Sequence, residues 1–434
     1  SGSQEIMRIG IIGGGLTGLT CAYHIAEKGY NVVLIEKEKE IGGLINSFLI
    51  GGNFLEKFYH YIKEDDREIL DLIESLSLKS ELVWKNSNKG LFYRNNVSCF
   101  NNFIDVFNTG SLNFVDRLRL YICMLFLKKI VNYKSLEGIT AEKWLRSIGG
   151  GSLFRFFWNP ILKNSFQDYY SQIGFTYLWA KYRARGNKTG YLRGGFQRLA
   201  EVMRQKIFAR SGSIRTSTIV KSIIPGIEGG VRIATERDIL DVDMVIVTTP
   251  VPIFMKMLKN LPVEYAMNLN SIQYMSAVSL VLELSKPFGY IHIMESCDLS
   301  FPFVEIVEHT NLVSPEYYEG SSILYIMKYV ESDSVYMNYS THKLLEDYIP
   351  YLKRLNSSFE QSCIKKEYLF RADFAYPVMT SNYSRIVPGI ETPFKGVFLA
   401  NTSQAYPELT SINNCIILSY KALDIALSKM VKNT

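Results

Sequence analysis

Three side chains in this sequence could act on a bound substrate, and each has a plainer alternative. His60, in Phe58-Tyr59-His60, carries an imidazole that exchanges a proton near neutrality, so it is a candidate acid or base, or else a structural histidine with its hydrogen bonds satisfied. His309 follows Glu308, but adjacent strand residues point to opposite faces, so this carboxylate need not orient it and a buried-strand role is favoured. Arg371 could grip an anionic group through two parallel hydrogen bonds, or form a surface ion pair. The six cysteines (Cys21, Cys99, Cys123, Cys297, Cys363, Cys415) form no C-x-x-C pair, and no histidine stands at ligand spacing from them. A metal site is therefore not expected, and the thiols suit a reducing compartment.

A glycine-rich stretch near the start could supply the chemistry that these side chains lack. Arg8 to Ile12 is a short β-branched run, followed directly by Gly13-Gly14-Gly15-Leu16-Thr17-Gly18. Leu19 to Lys28 then has helical character, closed by Gly29, and Asn31 to Ile35 is a second strand ending at Glu36. Strand, G-x-G-x-x-G, helix, strand and acid together form a dinucleotide-binding unit. Gly13 permits the tight turn, Gly15 lets backbone N–H groups approach a pyrophosphate, and Gly18 lets helix and strand pack closely. Glu36 would accept hydrogen bonds from ribose hydroxyls, which favours a free 2′-hydroxyl over a 2′-phosphate.

The continuation, Glu36-Lys37-Glu38-Lys39-Glu40-Ile41-Gly42-Gly43-Leu44, resembles the extended motif of FAD-binding flavoenzymes of the amine oxidase and protoporphyrinogen oxidase superfamily. Further segments resemble that superfamily in its own order: Gly52 to His60, Tyr191 to Leu199, Ser213 to Ile223, Asp243 to Pro250 and Phe398 to Glu408. Trp158 to Lys163, Val307 to Asn311 and Phe370 to Pro377 are similar to its bacterial protoporphyrinogen-oxidase-like subgroup. The resemblance implies an α/β chain, α+β overall, in which a Rossmann-like FAD-binding domain is interleaved with a mixed-sheet and helical substrate domain. On that pattern residues 7–91, 190–270 and 393–434 belong to the first domain, and residues 92–189 and 271–392 to the second. It also implies FAD as cofactor, held by Gly13, Gly15, Leu16, Thr17, Gly18, Glu36, Lys37, Gly42, Gly43 and Leu44. The backbone of Val220 would meet the adenine, with Asn401, Thr402 and Asn413 at the far end of the cofactor. One departure stands out: relatives carry Gly-Asp where this chain has Asn401-Thr402, so a charge is lost there.

Composition sets the wider frame. The chain has 434 residues, 47% hydrophobic and 21% charged, which suits a soluble globular protein with two or three domains. The longest apolar run, Leu120 to Leu127, is far too short to span a bilayer, and no export leader is visible, so a cytoplasmic protein is expected. Net charge of +6 without a basic run argues against nucleic acid. Asp116 to Val131 reads as an apolar helix with Arg117, Arg119, Lys128 and Lys129 at its ends; burial is the favoured reading, and contact with the inner face of a membrane is the sharper one. Trp158, Tyr169, Tyr170, Tyr177 and Trp179 suggest an aromatic helical wall. The leading expectation is an FAD-dependent oxidoreductase that moves hydride between the flavin and a hydrophobic or lipid-linked substrate. The alternatives are a non-redox flavoenzyme like UDP-galactopyranose mutase, acting on a sugar nucleotide, and a flavin-free escort protein similar to the Rab GDP-dissociation inhibitors. Oligomeric state is left open.

Overall fold

The structure, a computed structural model, describes residues 7–94, 96–108, 112–130, 132–183, 188–227 and 229–431. Strand Arg8–Ile12 forms where expected and is buried almost throughout, as a β-branched run between two neighbours must be. It pairs in parallel with Asn31–Ile35 on one side and Met244–Val247 on the other. Ser213–Arg215 and Val397–Leu399 complete a five-stranded parallel sheet among the described residues. Helix Leu16–Glu27 begins three residues before the expected Leu19, because the turn passes into the helix at Gly15. It is buried over most of its length between the sheet, helix Gln197–Ala209 and the last helix, Ile412–Val431. Ser419 Oγ donates to the Thr17 carbonyl at 3.0 Å, which locks the last helix to the first.

A second, mixed sheet faces this layer. Its strand order is Ile364–Pro377, Tyr274–Leu284, Ser322–Val330, Glu305–Glu308, Ile293–Ser296, Lys89–Tyr93 and Asn96–Cys99. The expected domain boundary at residue 91 falls inside Lys89–Tyr93, which pairs with Ile293–Ser296 and thus sits in this sheet. Register divides the sheet into two faces. Val278, Leu280, Leu282, Leu324 and Ile326 pack on helix Thr341–Leu355 through Leu344, Tyr348 and Leu352. The other face carries Val281, Tyr325, Tyr368 and Val307 in one row, and Ser279, Met327, Phe370 and Glu305 in the next. This inner face looks toward the glycine loops, and Phe48 from the hairpin Ser47–Ile50 and Asn53–Glu56 meets Tyr368 and Phe370, each at 4.7 Å between ring centroids.

A helical layer encloses the other end of the inner face: Phe114–Lys129, Ala141–Leu153, Asn159–Phe166 and Phe175–Arg183 share a core with Trp144, Phe154, Trp158 and Trp179. The apolar helix expected at residues 116–131 runs from Phe114 to Lys129, and Val131 lies outside the described residues. It starts at Phe114 because the Asn113 side chain accepts the Asp116 N–H at 2.8 Å. The expectation of burial holds for one side only. Leu120, Cys123 and Leu127 are fully buried, whereas Phe114, Val115, Leu118 and Phe126 are exposed. Among the described residues no helix is long and apolar enough to cross a membrane.

Candidate functional site

Two glycine loops lie against each other at the carboxyl end of the parallel sheet. The Gly13 turn is closed by its N–H donating to the Ile35 carbonyl, and by Thr248 Oγ1 donating to the carbonyls of Ile12 and Gly13, both at 3.1 Å. Gly18 is required by contact: a Cβ there would stand 1.9 Å from the Gly13 carbonyl oxygen. Gly42 and Gly43 both have positive φ, 121° and 57°, and a Cβ on Gly43 would come within 2.9 Å of the Gly15 Cα. The loops are joined by the Gly42 N–H donating to the Gly14 carbonyl at 2.8 Å. Nothing but the Gly43 Cα, at 3.9 Å, meets a Cβ built on Gly15, so the chain there is open to a ligand.

The first helix points its N-terminus into this opening. Its cap is Gly15, with no side-chain capping bond and no acid in the first turn, so Leu16 and Thr17 bring free N–H groups and a positive dipole end. An anionic phosphate is the complement of such an end. Glu36 is buried at the tip of the next strand, where its carboxylate accepts the Gly14 N–H at 2.6 Å and the Glu38 N–H at 2.8 Å. These bonds fix the carboxylate and leave lone pairs for hydroxyl donors. Thr218 N–H donates to the Glu36 carbonyl, bringing Val220, at the start of Val220–Pro225, beside the acid. Leu44 is half-buried in the short turn Gly43–Ile45, whereas Lys37 is exposed and pairs with Glu38 at 3.3 Å. The residues fit a dinucleotide: an open glycine cradle, an uncapped helix end and a fixed carboxylate lie on one edge.

At the far end, Asn401 explains its own departure from the expected aspartate. Its amide nitrogen donates to the Thr249 carbonyl at 2.9 Å, and its oxygen accepts from Ser403 N–H at 3.0 Å and Ser403 Oγ at 2.7 Å. An ionised aspartate has no donor for Thr249, so only the amide satisfies both sides. Thr402 follows in the turn Thr402–Ala405. The Asn413 side chain is turned away from the cradle: it accepts the Ile69 N–H and donates to Glu68, each at 2.9 Å, tying the last helix to Arg67–Ser75.

The three expected reactive side chains separate in space. His60 is half-buried, and its Nδ1 donates to the Phe58 carbonyl at 2.7 Å, which leaves Nε2 as the acceptor. Burial holds its pKa below the ordinary value, so the ring is neutral at pH 7. His309 is fully buried, its Nε2 bonded to the Tyr318 hydroxyl at 2.8 Å and its ring 4.7 Å from that of Tyr191; desolvation pushes it down to about 3. Arg371 is not brought to the site. It shares the outer face with Val278, one residue out of phase with Phe370, and donates to the carbonyls of Tyr336 and Tyr339.

Sequence reading missed a polar group of the inner face that surrounds His309. Tyr191 Oη donates to Glu56 at 2.6 Å, the Phe196 N–H donates to the same carboxylate, and burial pushes Glu56 up to about 7. His292 sits between the Ser87 hydroxyl at 2.7 Å and the Tyr59 hydroxyl at 2.8 Å, and desolvation lowers it to about 4. Glu56 and Tyr59 were visible beside His60, but nothing in the sequence signals that His292 and Tyr191 join them from distant parts of the chain.

Comparisons with known proteins agree with this geometry. The pattern of the flavin-containing amine oxidoreductase family matches residues 16–416. A zeta-carotene desaturase from Synechocystis is 28% identical over 179 residues, 36% of this chain and 36% of that relative, so the aligned stretch covers little more than a third of its length. Among solved structures, a candidate protoporphyrinogen oxidase from Exiguobacterium superposes with a TM-score of 0.78 at 16% identity, covering 98% of this chain and 100% of the other. Reduced UDP-galactopyranose mutase superposes with a TM-score of 0.75 at 17% identity, over 97% of this chain and 96% of the other. Both structural likenesses concern the fold.

Proposed function

The chain belongs to the flavin-containing amine oxidoreductase family, and from that footing we propose that it oxidises or reduces a hydrophobic or lipid-linked small molecule, with FAD lying across the two glycine loops. When bound, the flavin accepts or gives a hydride at N5. The helix end at Leu16 and Thr17 would neutralise the pyrophosphate, Glu36 would take the ribose hydroxyls, and the Asn401 turn would close the far end. The observation that carries the substrate reading is the inner sheet face. Phe48, Tyr329, Tyr368, Phe370 and Tyr376 along it, and Tyr59 beside it, are each half-buried, an aromatic surface suited to a hydrophobic substrate. His60, neutral with Nε2 free to accept, follows Tyr59 in the chain and is the candidate to take a proton from a bound substrate.

The exposed apolar side of helix Phe114–Lys129 supports a substrate drawn from a membrane surface. Phe114 is 71% and Phe126 48% exposed, with Lys128 and Lys129 in the last turn where cations can reach headgroups. Replacing Phe114, Leu118 and Phe126 by serine is expected to reduce sedimentation with anionic phospholipid vesicles while leaving the unfolding midpoint nearly unchanged. The sugar-nucleotide reading keeps support from the likeness to the mutase, whereas the family assignment sets the escort reading aside. Anaerobic mixing of FAD-loaded protein with isoprenoid, porphyrin and amine substrates tests the main reading by bleaching of the flavin. Failure of all three, with a UDP-sugar binding only the reduced protein, would favour the mutase-type reaction.

A further inference from the structure

The inner face holds a further titratable group that the reading above does not use. Glu295 and Glu305 stand directly opposite each other on antiparallel strands, an arrangement that like charges disfavour. Lys181, from helix Phe175–Arg183, places its Nζ 2.6 Å from Glu295 Oε1, so the single ammonium is committed to one of the two carboxylates. Glu305 is left with the hydroxyl of Tyr329 as its hydrogen-bond partner. Glu305 is half-buried, and the groups that face it are Glu295, Lys181 and Tyr177, Tyr329, Tyr376, and Tyr59 from the chain beside His60. Tyr329 and Tyr376 pack against both the glycine-loop core and the helical core. The cluster therefore lies where the two layers meet, a position that ligand sites favour.

We propose that Glu305, in addition to His60, is a proton-exchanging residue of the substrate space, with Lys181 and Glu295 as the neutral pair that sets its charge and Tyr329 as the group that orients it. This rests on the oxidoreductase reading. In the oxidation direction a substrate H–C–X–H, with X a nitrogen, oxygen or carbon, loses hydride from carbon to oxidised FAD. The X–H bond breaks heterolytically, its electron pair forming C=X and its proton passing to the Glu305 carboxylate and then to solvent. Two electrons and two hydrogens leave the substrate, and nothing beyond FAD is needed as oxidant. Burial and the Glu295 charge raise Glu305 to about 7, so its acid and base forms are both present near neutrality and either direction of reaction is served.

The test is a titration of the FAD-loaded protein from about pH 5.5 to about 8.5, following the carboxylic-acid infrared band and the flavin absorption together. The expected result is a common midpoint near 7, with that component of the band and the flavin change both lost in Glu305→Gln and both retained, at a shifted midpoint, in Glu305→Asp. Glu56 and Glu308, also raised to about 7 by burial, supply the bands that remain. Unchanged titrations in Glu305→Gln overturn the proposal. Loss of the infrared component with an unchanged flavin titration also overturns it, since the carboxyl would then titrate away from the substrate space. A protein that takes up no FAD would sink the oxidoreductase reading instead, while the infrared limb still reports whether Glu305 titrates.

Discussion

Around Gly13 and Gly42 the chain touches itself through backbone atoms, whereas across the opening the inner sheet face is assembled from side chains that meet over hundreds of residues. The glycine end is fixed by contacts such as Gly42 N–H to Gly14 carbonyl and by positions where no Cβ fits. The sheet end depends on pairs such as Tyr59 with His292 and Lys181 with Glu295. Rigid backbone suits a cofactor that every turnover shares, and exchangeable side chains suit a substrate that differs between relatives. Among histidines and carboxylates, the strongly shifted buried groups also divide this way: His292, His309, Glu56 and Glu305 lie on the sheet side, while the glycine loops are stabilised by hydrogen bonds to the fixed Glu36.

The largest effect is expected at the glycine end. Gly18→Ala places a methyl carbon against the Gly13 carbonyl, where backbone must move, so a loss of about 3 kcal/mol or more in urea unfolding and loss of FAD retention should follow. A variant that keeps its flavin and stability would break the claim that this end is sterically fixed.

Acid sensitivity should belong to the sheet end. His309 and His292 have folded pKa values depressed to about 3 and about 4, so the native state binds fewer protons than the unfolded chain. The stability they provide is full above the unfolded value of about 6.5 and falls as pH drops through the folded values. Glu56, Glu305 and Glu308, raised to about 7, act in the opposite sense, so the test is a difference: between about pH 6.5 and about pH 3 the wild type is expected to lose on the order of a few kcal/mol more in urea melts than His309→Gln does. An identical pH slope in that variant would move the sensitivity elsewhere.

Asn401→Asp sharpens the comparison at the join between the two. It removes the donor to the Thr249 carbonyl and buries a carboxylate oxygen against it, at an expected cost of about 1–3 kcal/mol, together with weaker FAD retention measured by dialysis. The smallest effect belongs to Arg371→Met, which loses bonds to the exposed carbonyls of Tyr336 and Tyr339 only. A change within about 1 kcal/mol and an unaltered flavin spectrum are expected.

Much of the glycine end was legible because its chemistry is local. Arg8–Ile12, the Gly13 turn, Asn31–Ile35 and Glu36 follow one another along the chain, so spacing alone carries the geometry. Only the start of the helix was misplaced, since Leu16 to Gly18 read as turn residues and the structure puts them in its first turn. The sheet end was largely illegible for the converse reason. Arg371 looked available for an anion, but strand phase decides its face, and that phase is set by pairing with Tyr274–Leu284 nearly a hundred residues away. Asn413 resembled a cofactor contact in position, yet its amide is used by Ile69 and Glu68, from a helix that the motif does not include. Glu305 carried no signal at all, because its meaning comes from Glu295 opposite and Lys181 beneath.

The central claim is that the paired glycine loops hold FAD. The direct measurement is the absorption spectrum and flavin content of the purified protein after incubation with FAD and gel filtration, beside Gly18→Ala treated alike. A flavin spectrum with close to one FAD per chain, released intact on denaturation and absent from the variant, is the predicted result. A colourless wild-type protein, or a flavin retained equally by Gly18→Ala, would contradict it.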